Sequence, residues 1–388
     1  MTREEVRKVV MDSRKRNFIL ELATSMGKTK IALEKVASWK PENILIVIPR
    51  LVLIDNWKDE IKKWNFDYLL KGMTFTTYVS LPKYAGKWDV VIFDEGHHTS
   101  DRCKEALRSF TIKHSLVLSA TLKKDHRLFF RTFLRDVDEI RVGLTEAIES
   151  NVLPDPRIIL LPLHLNSTDI KCLYSLKQNK KTSDVITVPY KDKWKYRNYN
   201  SNVFLKCTQL EYYQELSKLI EWYKNKASSS IRMKKVWLHK AGERLKWLAL
   251  QKEDFIKNVL KKVGKKRTLI FCATIKQSEN LGCPCVNSKI GTDNLELFNK
   301  GKINKIACIN QIDEGINLVN CQVGIFQVIN ASQRMQLQKM GRILRHKKPV
   351  IIIPYFVATR EEEIVKSMLE GYNKEFISTF YTLNELKV

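Results

Sequence analysis

The stretch LATSMGKTK, Leu22 to Lys30, constrains this chain more than any other. An apolar run through Phe18, Ile19 and Leu20 leads into it, and IALEKVASW, with apolar residues every three or four positions, leads out. A strand, a small-residue loop and an amphipathic helix in that order can cradle a polyphosphate. Backbone N–H groups of Thr24, Ser25, Met26 and Gly27 and the positive end of the helix face the anion. Lys28 adds a point charge, and the Thr29 hydroxyl can hold Mg²⁺. The strict pattern has Gly or Ala where this chain has Leu22, and often Gly where it has Ser25. On this stretch alone, a strand, turn and helix with a chance GKT is the competing explanation.

Of the 388 residues, 44% are hydrophobic and 28% charged, the balance of a folded chain long enough for two ordinary domains. A run of about 18 apolar residues, the length that crosses a bilayer, does not occur. The N-terminus, MTREEVRKVVMDSRKR, lacks the apolar core of a secretion signal. The expected location is therefore the cytoplasm, or the host cytoplasm or nucleoid if the chain is viral, and not secretion. The formal net charge is +26, a field that draws in polyanions and favours nucleic acid as partner. Residues 171–267 alone carry 25 Lys and Arg against 8 Asp and Glu. The eight cysteines show no disulfide framework, and CPC at 283–285 is their one close pair.

Downstream, ILIVIP reads as a buried parallel strand, and LVLIDNWKDEIKKW as a helix with Trp57 and Trp64 on one face, suited to core packing. MTFTTYVSL is a further strand. In KWDVVIFDEGHH, residues Val90 to Phe93 form a strand that delivers Asp94 and Glu95 to its carboxyl end, where open α/β sheets bind ligands. Asp94 suits Mg²⁺, and Glu95 suits orienting or deprotonating water. His97 reads as a polar link to the next strand, SLVLSAT, whose Ser119 and Thr121 hydroxyls are placed to couple phosphate state to a neighbouring domain.

GKT, then PR with NW, TYVS, DEGHH and SAT, look like the first lobe of a superfamily 2 helicase or translocase of the DEAH or DExH type. The doubled histidine is similar to the branch with restriction-enzyme motor subunits, transcription and repair helicases and phage recombination helicases. Such proteins have a second lobe, and the text supplies one: strand Leu269 to Phe271, the loop with Asp313, Glu314 and Gly315, and SQRMQLQKMGRILRHKKP. Gln338, Gly341, Arg342 and Arg345 match the family pattern, in which two arginines one turn apart face the triphosphate from the opposite lobe. A phosphotransferase or switch protein would need only one lobe.

The resemblance implies ATP with Mg²⁺, Gly315 and Gln338 as nucleotide contacts, and strand contacts at Arg50, Tyr78, Ser80, Thr274 and Lys276. It also implies DNA in preference to RNA, and a monomer working beside replication, recombination or repair proteins. Departures are Asn317 and Val319 in the EGINL loop, and the lack of any glutamine before Gln178 to read adenine. The expected fold is α/β, with two tandem RecA-like parallel-sheet domains and a basic, partly helical segment between them. Lobe one is expected over 1–146, a crossover and basic aromatic insertion over 147–205, and lobe two over 206–388. KDKWKYRNYN, within the insertion, mixes stacking faces with charge as single-strand binders do, and a surface hairpin or mobile loop would look the same. Raising salt from about 50 to about 200 mM should weaken nucleic-acid binding at least tenfold; a flat binding isotherm series would exclude a charged track.

Overall fold

The computed structural model describes residues 1–166, 169–170, 185–196, 202–228, 230–287, 293–309, 318, 320–330, 340–341, 343, 346–370 and 372–386. Strands covered by helices on both faces must be apolar on both faces, and β1 (Asn17–Leu22) and β2 (Ile44–Ile48) are buried at every position. With β3 (Met73–Thr77), β4 (Lys87–Asp94), β5 (Thr111–Ser119) and β6 (Val137–Val142) they form a parallel sheet in the order β3-β2-β4-β5-β1-β6. The register sets Glu21 beside Ser119, and Asp94 beside Leu118. The carboxyl ends of β1, β5 and β4, which carry the three motifs, are therefore neighbours.

The helices of this lobe are α1 (Arg3–Asp12), α2 (Lys28–Trp39), α3 (Leu53–Lys63), α4 (Asp101–Leu107), α5 (Lys124–Leu134) and α6 (Leu144–Glu149). Thr2 and Glu5 close a reciprocal capping box at the start of α1. Its far end is held by buried Lys35 on α2, whose ammonium donates to the Met11 and Ser13 carbonyls at 3.4 and 2.8 Å. A cation at a helix C-terminus satisfies carbonyls that have no partner within the helix.

Pro154 and Pro156 end helix formation after α6, as their fixed φ requires. The chain then does not cross over freely. It enters β7 (Arg157–Leu163), which pairs in parallel with β15 (Val350–Phe356) from Arg157 beside Val350 to Leu163 beside Phe356. A strand from the expected crossover thus belongs to the second sheet. Between β7 and the rest of that lobe lies a small sheet of β8 (Asp169–Ile170), β9 (Val185–Pro189) and β10 (Asn202–Thr208), in the order β8-β10-β9. The second large sheet adds β11 (Thr268–Phe271), β12 (Cys285–Val286), β13 (Lys305–Cys308), β14 (Val323–Phe326) and β16 (Ile377–Thr379). Its order is β12-β13-β11-β14-β15-β7-β16, again parallel throughout.

Two long helices, α7 (Gln209–Lys226) and α8 (Ile231–Gln251), precede β11 and pack on each other, with Arg244 donating to Ser217 Oγ at 2.9 Å. Apolar periodicity continues past Gln251, yet the helix breaks at Lys252 before α9 (Glu253–Val263). At the break the Lys252 side chain is fully buried and donates to Glu361 Oε1 at 2.7 Å and the Pro354 carbonyl at 3.2 Å. Glu361 belongs to α12 (Arg360–Met368), and α10 (Ile275–Asn280) and α11 (Asp293–Asn299) complete the labelled helices. Among the described residues no helix is long and apolar enough to cross a membrane. Removing one partner of a buried ion pair strands the other charge. Lys252→Met should cost about 3 kcal/mol in chemical denaturation, and Lys252→Met with Glu361→Leu should recover most of it. Equal losses in the single and double variants would contradict this account.

Candidate nucleotide and nucleic-acid site

The loop between β1 and α2 starts where Ala23 N–H donates to the Val142 carbonyl at 2.9 Å, fixing it to the end of β6. Ser25 (φ 72°) and Gly27 (φ 84°) both lie in the left-handed region. Such residues turn a loop's N–H groups inward, and Gly27 also begins α2, so helix and loop point at one place. At Ser25 a non-glycine residue bears a conformation that favours glycine. Lys28 Nζ lies across the loop mouth, 2.8 Å from the Leu22 carbonyl and 3.5 Å from that of Ala23. Thr29 follows it in the first turn of α2.

Asp94 ends β4, and Glu95 takes the left-handed conformation (φ 51°, ψ 56°) that opens a short 3₁₀ turn, Gly96–His98. Two side chains hold the Asp94 residue itself. Trp57 Nε1 on α3 donates to its Oδ2 at 2.9 Å, and the Tyr78 hydroxyl donates to its carbonyl at 2.8 Å. Trp57 therefore packs in the core, as its helical spacing suggested, and also serves the site, which the spacing did not show. Burial pushes the Asp94 carboxyl up to about 6, the neighbouring Glu95 charge adds to this, and the Trp57 N–H and Lys28 charge oppose it.

Glu95 Oε2 lies 3.3 Å from His97 Nδ1, which is 3.1 Å from Ser119 Oγ; Ser119 in turn donates to the Thr121 carbonyl at 2.9 Å. His97 therefore lies between Glu95 and the SAT turn, hydrogen-bonded to Ser119, while Glu95 Oε2 makes no hydrogen bond of its own. Thr121 Oγ1 is buried and carries no hydrogen bond.

The second lobe reaches the loop through Gly341. A Cβ built there would stand 2.4 Å from Thr24 Cβ and 2.7 Å from Thr24 Oγ1. Its neighbours Met340 and Ile343 are buried in the hydrophobic core. Gly315, Gln338, Arg342 and Arg345, expected at the same cleft, lie outside the described residues.

Of the expected strand contacts, Arg50 and Lys276 are exposed, Ser80 is half-buried, and Thr274 caps α10 by accepting from Gln277 N–H. Tyr78 differs. It is buried, with its hydroxyl turned to Asp94, because β3 places it against the adjoining strands and not toward solvent. The loops after β2 and β3 instead expose Leu51, Val52 and Val79. No sequence signal marked these three, since isolated apolar residues in loops carry no periodicity.

Residues 2–124 match the family model of the type III restriction enzyme res subunit. The chain is 26% identical over 359 residues to the DNA 3'-5' translocase XPB2 of Sulfurisphaera tokodaii, spanning 85% of this chain and 75% of that protein. In both comparisons the chain is similar to superfamily 2 helicases and translocases. Among solved structures, S. cerevisiae Dbp5 bound to RNA and ADP BeF3 superposes with a TM-score of 0.62 at 11% identity, covering 98% of this chain and 90% of that one. The Pyrococcus furiosus Hef helicase domain does so with a TM-score of 0.53 at 14% identity, over 94% and 97%. These superpositions bear out the two-lobed RecA-like α/β fold expected of a superfamily 2 member.

A carboxyl group held above its unfolded value favours folding when protonated, so its contribution is complete below about pH 4 and is lost as pH rises through about 6. Asp94→Asn, which keeps an acceptor for Trp57, should therefore stabilise the metal-free protein at pH 8 by on the order of 2 kcal/mol while abolishing nucleotide hydrolysis. Thermal melting at pH 4 and pH 8 checks this: an equal effect at both would refute the assignment.

Proposed function

We propose that this chain is an ATP-dependent motor that moves along DNA, hydrolysing nucleotide in the cleft between its lobes. The observation that carries this is the meeting of three pieces: the Lys28 loop, the Asp94–Glu95 turn beside it, and the Gly341 segment seated on Thr24 from the other lobe. In this reading the N–H groups of Thr24 to Gly27 take the phosphates, and Lys28 exchanges backbone carbonyls for β and γ oxygens. Thr29 and Asp94 fit Mg²⁺, a hard cation that takes oxygen ligands, and burial leaves Asp94 short of compensating positive charge. Bound there, Mg²⁺ would neutralise charge on the phosphates.

Glu95 orients water and accepts its proton, held in place by His97. Ser119 and Thr121 pass the position of that carboxylate to the neighbouring lobe. Arg342 and Arg345 supply charge to the transition state from lobe two, with Gly315 and Gln338 as further nucleotide contacts. The strand lies over Arg50, Ser80, Thr274 and Lys276, while Tyr78 acts behind the track by holding Asp94.

DNA is favoured over RNA because the relative that spans most of this chain is named a DNA translocase, and its printed direction, 3' to 5', is the direction proposed here. The motor works as a monomer beside proteins of replication, recombination or repair. Hydrolysis assayed with no polymer, single-stranded DNA, duplex DNA and RNA should rise with DNA and vanish in Lys28→Ala. Equal rates in all conditions would exclude a motor. Arg342→Ala or Arg345→Ala should lower turnover about a thousandfold, and a loss below roughly tenfold would remove that arginine from the transition state.

A further inference from the structure

Outside the cleft, the insertion and α7 together build an aromatic and basic surface. The 3₁₀ turn Tyr190–Tyr196 is pinned to α7 through Glu215, which accepts from the Tyr190 hydroxyl and Lys193 Nζ, with Lys218 Nζ at 3.4 Å. That docking leaves the Trp194 ring 69% exposed at the top of the turn, with Lys195 Nζ 5.6 Å from its centroid. Glu215, Lys218, Trp222 and Lys226 follow one another at spacings of three and four, so they share one face of α7. The opposite face, with Tyr213, Leu216 and Ile220, is the buried one. Trp222 is 48% exposed, and Lys226 Nζ lies 4.2 Å from its ring centroid. Trp222 is seven helical steps beyond Glu215, about 10 Å along the axis.

We propose that Trp194 and Trp222, with Lys193, Lys218 and Lys226 along the same face, form an accessory site that stacks the bases of single-stranded nucleic acid away from the motor track. Two features favour this occupant over another. An exposed indole presents a flat apolar face that a base can cover by stacking, and every base has such a face. Among the described residues the acidic groups nearest the turn are already met, Glu215 by two lysines and a phenol and Glu211 by the Thr208 N–H, so with Lys226 the face offers net positive charge to a phosphate backbone. Asp192 is likewise paired, to Lys195 at 2.9 Å. Stacking without base-edge contacts gives a site with little sequence preference.

The site stands on its own geometry and does not need hydrolysis, so it is tested in the Lys28→Ala background as well as the parent. Fluorescence anisotropy of a labelled oligothymidylate and of a duplex of equal length, at one fixed salt concentration, reads the affinity. Trp194→Ala and Trp222→Ala should each weaken single-strand binding at least about fivefold, and the double variant more than either. Trp194→Phe, which keeps a stacking face, should stay within about threefold of the parent. The loss should exceed that on duplex, and should be the same whether or not Lys28 is present. Lys218→Gln should reduce the salt slope by roughly 0.7. A double variant within twofold of the parent would overturn the site, as would an equal loss in Trp194→Phe and Trp194→Ala. Displacement of the oligonucleotide by polyglutamate at equal charge concentration would also overturn it, by showing a purely ionic surface.

Discussion

At Gly341 the second lobe approaches the phosphate loop so closely that a methyl group would collide with Thr24. The rest of the site depends on that contact. Lys28, Asp94 and Glu95 come from one sheet, and Gly341 reaches Thr24 from the other lobe by a backbone approach with no side chain in the way. A glycine at this point is therefore a steric requirement of closure, and the buried neighbours Met340 and Ile343 anchor it to its own lobe.

Within the first lobe, the parallel sheet does the assembling. β5 lies between β1 and β4, so the SAT turn sits between the Lys28 loop and the turn that bears the carboxylates. The contacts from Glu95 through His97 to Ser119 follow from that order without any long-range adjustment. Asp94 is the strained member. Its burial opposes its own ionisation, and Trp57 and Tyr78 hold it where a cation can offset that cost. The site is thus organised at some expense to the stability of the empty protein.

Much of this was readable in the sequence because each motif follows a continuous apolar strand, and strands in such sheets end on one edge. What was not readable has a common cause. Trp57 reaches Asp94, and Tyr78 turns inward, through contacts between strand ends and helices whose spacing in the chain carries no signal. β7 joins the second sheet by pairing Arg157 with Val350, an association no local pattern announces. The break in the helical repeat falls at Lys252, whose buried partner Glu361 lies far along the chain. The docking of the 3₁₀ turn Tyr190–Tyr196 on Glu215 is likewise a contact that composition does not announce, and 197–200 lie outside the described residues.

The central claim is that both lobes form one catalytic site through the Thr24–Gly341 approach. Single-turnover hydrolysis in Gly341→Ala, with nucleotide affinity measured alongside, tests it most directly. The account predicts at least a hundredfold slower hydrolysis with nucleotide still bound by the first lobe, because the methyl group holds the arginine segment away. Hydrolysis within about threefold of the parent would contradict it, by showing that the first lobe acts without the second.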